Sequence, residues 1–167
     1  NLSYTGDLLP NSPRGMQFIH SETLDPKIPT GNPLDSNNGD TALYQWISGQ
    51  STLYLLPMEK PGESNTEFRY HVYQYQSAAI ALEAEKLVHQ QFIAQGGTQW
   101  NNGHTNSFQI SMGDIEFDLD GKHQKVPLTM TVYAKAQGKE LRILEATGTG
   151  SQGMLTAFQN ILKKLDS

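Results

Sequence analysis

Three observations predict an α+β two-layer sandwich, an antiparallel sheet packed by two helices. From Ser51 onward, short runs alternate apolar and polar residues with period two, as half-buried strands do. Two longer stretches, 77–95 and 153–165, carry apolar residues at helical spacing instead. The last three strand-like runs are separated only by turn-sized breaks, which makes them antiparallel neighbours. The resulting order is β-β-α-β-β-β-α over residues 51–167, read as one domain, with residues 1–50 as an extended arm before it. Each strand has one apolar face, and two amphipathic helices are available to cover it.

The arm is read from its breakers. Five of the eight prolines (Pro10, Pro13, Pro26, Pro29 and Pro33) fall here, with Gly6, Gly15, Gly31 and Gly39. Proline fixes φ, lacks an N–H and pushes its predecessor to extended geometry, so residues 1–40 are not expected as a regular helix or a central strand. Two readings follow: a flexible tail, or an arm that orders on a partner with Leu8-Leu9 and Phe18-Ile19 as anchors. Thr41 to Gln50 suits a short helix or turn, capped by Asp40 and ended by Gly49, with Trp46 over one edge of the core.

Ser51–Met58 reads as a short strand closed by Pro57, followed by a loop around Pro61-Gly62. Phe68–Gln76 is rich in aromatic and β-branched residues, which strands prefer. Phe68, Tyr70 and Val72 share one face, and Arg69, His71, Tyr73 and Tyr75 the other. Ser77 is placed to cap a helix that Gly96-Gly97 ends, with Ile80, Ala84, Leu87, Val88 and Phe92 inward. Glu83, Glu85, Lys86, His89 and Gln90 make its other face. A loop with a turn at Asn102-Gly103 comes next.

In Phe108–Leu119 the apolar phase changes from even positions (Phe108, Ile110, Met112) to odd ones (Ile115, Phe117, Leu119). A β-bulge at Gly113 would keep all six on the core side. Asp120-Gly121 signals a tight hairpin. Val126 to Ala134 returns, with Pro127 marking an edge or bulge. Gln137-Gly138-Lys139 turns into the strand Leu141–Thr147. The closing helix points Leu155, Phe158, Ile161, Leu162 and Leu165 inward.

Composition narrows the function. The 167 residues carry 12 basic and 17 acidic side chains, a net charge of −5, and no cysteine. No basic footprint for nucleic acid is present, and disulfides, thiolate metal sites and cysteine nucleophiles are all excluded. The longest apolar run, Leu53 to Met58, falls far short of the about 20 residues that a spanning helix needs. Polarity comes from amides instead, 14 Gln and 10 Asn. Such a surface suits contact with protein or glycan better than electrostatic steering. The sequence starts at Asn1 without methionine, which is read as a targeting segment removed from an exported protein.

No motif identifies a reaction. Gly148 to Gly153 matches the glycine spacing of a dinucleotide loop, but a Rossmann unit needs a parallel strand before it, and this one belongs to an antiparallel meander. Asp114, Glu116, Asp118 and Asp120 imitate a calcium loop, yet the twelfth position would be Pro127, which cannot chelate by its side chain. Strand alternation explains them as a solvent face, with Lys122, Lys125 or Lys135 across the hairpin. The five histidines (His20, His71, His89, His104 and His123) include no pair at zinc spacing. No catalytic residue, cofactor or metal site is therefore expected.

The segments FRYHVYQYQ, SAAIALEAEKLVHQQF, FQISMGDIEFDLDG, VPLTMTVYAKA, LRILEATG and MLTAFQNILKKL follow one another in an order and length that resembles small periplasmic lipoproteins of the Gram-negative envelope, such as the lipopolysaccharide-assembly lipoprotein. The resemblance spans about 100 residues in topology. It implies a non-enzymatic, partner-binding subunit in a cell-envelope assembly, periplasmic or outer-membrane-associated. It also implies a lipid-bearing cysteine at the start; this sequence has none, so an anchor is left open.

The expected function is an exported subunit that binds a protein partner within a larger complex, with homo-oligomerisation left open. Its candidate contact residues are Leu8, Leu9, Phe18, Ile19, Trp46, Tyr73, Tyr75 and Trp100. One alternative is a small-ligand carrier or enzyme with a pocket between helix 77–95 and the sheet. Another is a secreted glycan-binding module that uses the tyrosines and tryptophans.

Overall fold

The computed structural model describes residues 16–28, 34, 39, 41–57, 65–100, 106–149 and 152–165. Leu8, Leu9, the Pro61-Gly62 loop, the Asn102-Gly103 turn and the middle of the glycine run after Gly148 lie outside the described residues. Seven strands form one antiparallel sheet: β1 (Gln17–Leu24), β2 (Ser48–Leu56), β3 (Thr66–Gln74), β4 (Thr98–Gln99), β5 (Ser107–Leu119), β6 (Lys122–Gln137) and β7 (Glu140–Gly148). Their spatial order is β1-β2-β3-β7-β6-β5-β4. Helix α1 (Ala78–Ala94) follows β3, and α2 (Gln152–Leu165) closes the chain. Among the described residues no helix is long and apolar enough to cross a membrane.

The α+β class, the antiparallel sheet and the two helices are as the sequence predicts. The helices cover opposite faces of the sheet, so there are two cores rather than one. Strand parity shows this directly, because successive side chains point to opposite faces. Phe68, Tyr70 and Val72 of β3 join Leu144 and Ala146 of β7 under α2. Tyr73, Tyr75, Leu141 and Ile143 join the α1 core. Each central strand is therefore buried on both faces.

Helix α1 begins as its sequence dictates: Ser77 accepts a hydrogen bond from the Ile80 N–H at 3.2 Å, and Gly96 takes φ +88 just past its end. Ala81, Ala84, Val88 and Phe92 are buried, with Ile80 and Leu87 packed at the margin. Two side chains expected on the solvent face do otherwise. The Ala136 N–H donates to Glu85 at 2.8 Å, and His89 Nε2 meets the Ala134 carbonyl at 2.8 Å. Pairing of β5 with β6 stops at Ser107↔Tyr133; the Ala134 N–H still reaches the Asn106 carbonyl, and α1 supplies the partners of the Ala134 carbonyl and the Ala136 N–H.

The bulge in β5 falls where the phase change places it, between Ser111 and Asp114, with Gly113 at φ +92. Asp120 and Gly121 both take positive φ, 51 and 76, as a two-residue type I′ hairpin requires. Pro127 pairs with Asp114 at the end of the bulge and lies before Thr129, where pairing with β7 starts. Its missing N–H thus costs no ladder bond. Lys125 reaches Asp114 at 3.7 Å, and His123 reaches Asp118 at 3.2 Å, which relieves the acidic face.

Part of the expected arm belongs to the sheet. Residues Gln17–Leu24 pair with β2 from Gln17↔Leu55 to Leu24↔Gly49, with a bulge between Phe18 and His20. Leu24, Leu34, Leu43 and Trp46 are buried in the α1 core. Proline excluded a central strand here, but an edge strand needs only one set of backbone partners. Within Thr41 to Gln50, all described, only Ala42–Tyr44 is helical, as one 3₁₀ turn, and Gly49 and Gln50 are already in β2; Asp40, the expected cap, lies outside the described residues.

Candidate functional site

Three neighbouring strands bring Ser51, His71 and Glu145 together on the α1 face. Ser51 and His71 are register partners across β2 and β3, and Glu145 lies diagonally across on β7, opposite Arg69. Ser51 Oγ is 2.7 Å from His71 Nδ1, and His71 Nε2 is 2.7 Å from Glu145 Oε1. A carboxylate only accepts, so Nε2 carries the proton in that bond. The imidazole is buried, whereas the Glu145 side chain keeps 27 % exposure. Burial pushes the Glu145 carboxyl upward. The hydrogen bond to His71 and the attraction of His71 and Arg69 outweigh it and hold the group below the ordinary carboxylate range.

Beside this row lies a cavity of about 120 Å³ between α1 and the sheet. Its apolar walls are Leu34, Tyr73, Val88, Phe92, Met130 and Ile143. His71, Glu145, Gln91 and Gln95 add the polar lining. Gln91 is oriented by donating from Nε2 to the Tyr44 hydroxyl at 3.0 Å. This is the position, between helix 77–95 and the sheet, that the alternative reading of a small-ligand carrier or enzyme gives its pocket.

A serine–histidine–carboxylate row invites comparison with nucleophilic hydrolases. Ser51 lies mid-strand between β1 and β3, where backbone N–H groups serve the ladder. A nucleophile elbow instead places serine on a turn that leaves N–H donors for an oxyanion. Among the described residues no group of three or more His, Asp or Glu side chains is placed to hold a metal ion. What the row offers is a fixed carboxylate at the wall of an apolar cavity.

The sequence-derived contact residues divide sharply. Phe18 and Ile19 are half-exposed on β1, at 47 % and 49 %, and the Phe18 ring meets Tyr54 edge-on at 5.9 Å. Trp46, Tyr73, Tyr75 and Trp100 are buried and form no contact surface. Trp46 donates to the Leu34 carbonyl and packs on Tyr73 at 5.2 Å. The Tyr75 hydroxyl donates to the Leu43 carbonyl at 2.8 Å, and burial raises its pKa. Trp100 stands edge-on to Phe158 at 5.5 Å. A glycan platform needs open ring faces, and these four rings are covered by their own chain.

Ser51 and Glu145 were not singled out by sequence, and His71 was only one of the five histidines. A weak signal was present: His71 interrupts an aromatic strand, and Glu145 an apolar one.

No family model matches the chain, and no curated protein matches it. Among solved structures, the extracellular domain of PknH from Mycobacterium tuberculosis is similar in fold, with a TM-score of 0.51 at 10 % identity. The alignment covers 91 % of this chain and 85 % of that one.

Proposed function

We propose that the chain is an exported, non-enzymatic subunit that binds a protein partner in a cell-envelope assembly by adding the partner's strand to β1. The observation that carries this reading is the edge strand itself. Among the described residues β1 ends the sheet, so its outer backbone groups form a template for another extended chain. Phe18 and Ile19 stand exposed on that strand and would supply apolar anchors. The extracellular setting of the PknH domain that shares the fold supports an exported location. The resemblance to periplasmic assembly lipoproteins points the same way.

Deleting residues 1–50 would be a poor test, because it strips Leu24, Leu34, Leu43 and Trp46 from the core. A photo-crosslinking residue at position 19 keeps the core intact. It is expected to yield one discrete adduct in source cells. The same probe at Leu82, exposed on α1, should yield none. The double variant Phe18→Glu/Ile19→Glu, with unchanged circular dichroism, should lose the partner that the adduct identifies. Equal labelling at both positions, or no adduct at position 19, would overturn the reading.

A further inference from the structure

We infer that the cavity beside His71 and Glu145 is a binding site for a small organic cation, a primary amine on a compact apolar body. The inference is independent of strand addition at β1, which lies away from the cavity walls.

Size sets the first limit. An apolar protein cavity of about 150 Å³ holds benzene, so the somewhat smaller space of about 120 Å³ here limits the buried body to a small ring or a short chain that reaches toward the opening. Its opening is what Glu145 shows by its partial exposure. The apolar walls reward burial of such a body and reject a strongly hydrated ligand.

The polar lining sets the second limit. Both His71 nitrogens are engaged, one by Ser51 and one by Glu145, so the imidazole has no site left for a ligand. Glu145 uses Oε1 for His71, and no described residue bonds Oε2. Gln91 spends one amide N–H on Tyr44 and keeps its other N–H and its carbonyl oxygen. Gln91 and Gln95 can donate or accept, so the charged group of the lining, the Glu145 carboxylate, sets the preference. Arg69, whose charge acts on Glu145 from the neighbouring strand, is shared with Glu67 at 3.4 Å. An ammonium group supplies three donors and a positive charge for the open Oε2 of Glu145; a carboxylate ligand would meet Glu145 in repulsion.

The Ser51–His71 pair has a place in this scheme. It fixes the rotamer of Glu145 from behind, as supporting hydrogen bonds do for a binding carboxylate. Ser51 and His71 are thus positioning residues, and Glu145 is the one that touches the ligand.

The test uses benzylamine, which is cationic at neutral pH, against benzyl alcohol and benzoate of the same shape. Titration followed by NMR should shift the methyl signals of Met130 and Ile143 with benzylamine. Affinity for benzyl alcohol should be at least about tenfold weaker, the scale of a charge-assisted hydrogen bond. Benzoate should not bind. Glu145→Gln keeps an oxygen for His71 and should lose the preference for the amine over the alcohol. Val88→Phe, which fills the space, should abolish all binding while the spectrum remains that of a folded protein. Equal affinity for amine and alcohol in the parent protein would overturn the cation assignment. Absence of benzylamine shifts at Met130 and Ile143 would overturn the site.

Discussion

Helices α1 and α2 cover two faces of one sheet, and they do it with different side chains. α2 presents Met154, Phe158, Ile161, Leu162 and Leu165, all buried, and Phe158 meets both Phe68 and Trp100. α1 presents Ala81 and Ala84, then Val88 and Phe92. Large side chains interdigitate and fill the α2 layer. Alanines bring α1 close to the sheet along its first turns, and the last turns leave the cavity against Met130 and Ile143. The filled layer holds the fold together, and the under-filled one has room for a site. Interiors packed like organic crystals rarely leave such space without a reason.

Replacing matched residues in the two layers gives the largest contrast. Phe158→Ala should cost about 3–5 kcal/mol, because α2 and β3 cannot collapse into the vacated volume. Phe92→Ala, already beside a void, should fall at about 3 kcal/mol or below. Urea denaturation of both variants checks the difference, and equal losses would erase the distinction between the layers. Enlargement reads the same contrast with opposite sign. Ala157→Leu should cost about 1–3 kcal/mol by overpacking, whereas Val88→Leu, with free space in front of it, should stay within about 1 kcal/mol. Thermal melts would resolve the two.

Smaller effects sharpen the boundary of the α1 layer. Tyr75→Phe removes the bond to the Leu43 carbonyl and should cost about 1 kcal/mol. Retention of full stability would mean that this bond adds nothing to the other contacts that hold the segment before β2. The last prediction concerns pH. The Glu145 carboxyl is depressed in the fold, so its contribution is fully present above the ordinary carboxylate range. It is lost as pH falls through that range to the depressed folded value. Stability measured against pH should therefore fall less steeply on the acid side in Glu145→Gln. Superimposable profiles would remove the role given to the His71 bond.

Legibility followed the range of the interactions. The β5–β6 hairpin was readable in detail, bulge and turn included, because Gly113, Asp120 and Gly121 impose their backbone angles locally. Depth along the same hairpin was not. Phe108 and Ile110 are buried, Ile115, Phe117 and Leu119 are half-buried, and Met112 is 48 % exposed, although all six belong to one alternating pattern. Alternation specifies a face, and only the reach of α1 decides how far along that face burial extends. The tyrosines erred in the opposite direction. Tyr73 and Tyr75 occupy the second face of β3, and a strand with apolar side chains on both faces signals coverage on both sides.

The candidate site was the least legible part. Ser51 and His71 are 20 positions apart, and His71 and Glu145 are 74 apart, so no spacing rule connects them. β3 lies beside β2 by a local connection and beside β7 only through the crossover that carries α1.

The amino-acid sequence by itself determined the kinds and order of the elements after Ser51 except the two-residue β4, which stands where a loop is expected, together with the α1 cap, the bulge and the hairpin turn. These depend on backbone preferences and on side-chain periodicity within a few residues. The tertiary structure alone decided that the helices take opposite faces, that Gln17–Leu24 closes one edge of the sheet, and that Ser51, His71 and Glu145 meet at a cavity. Those outcomes depend on which strands become neighbours and on how much of each face a helix covers, and both are set by packing between residues remote in the chain.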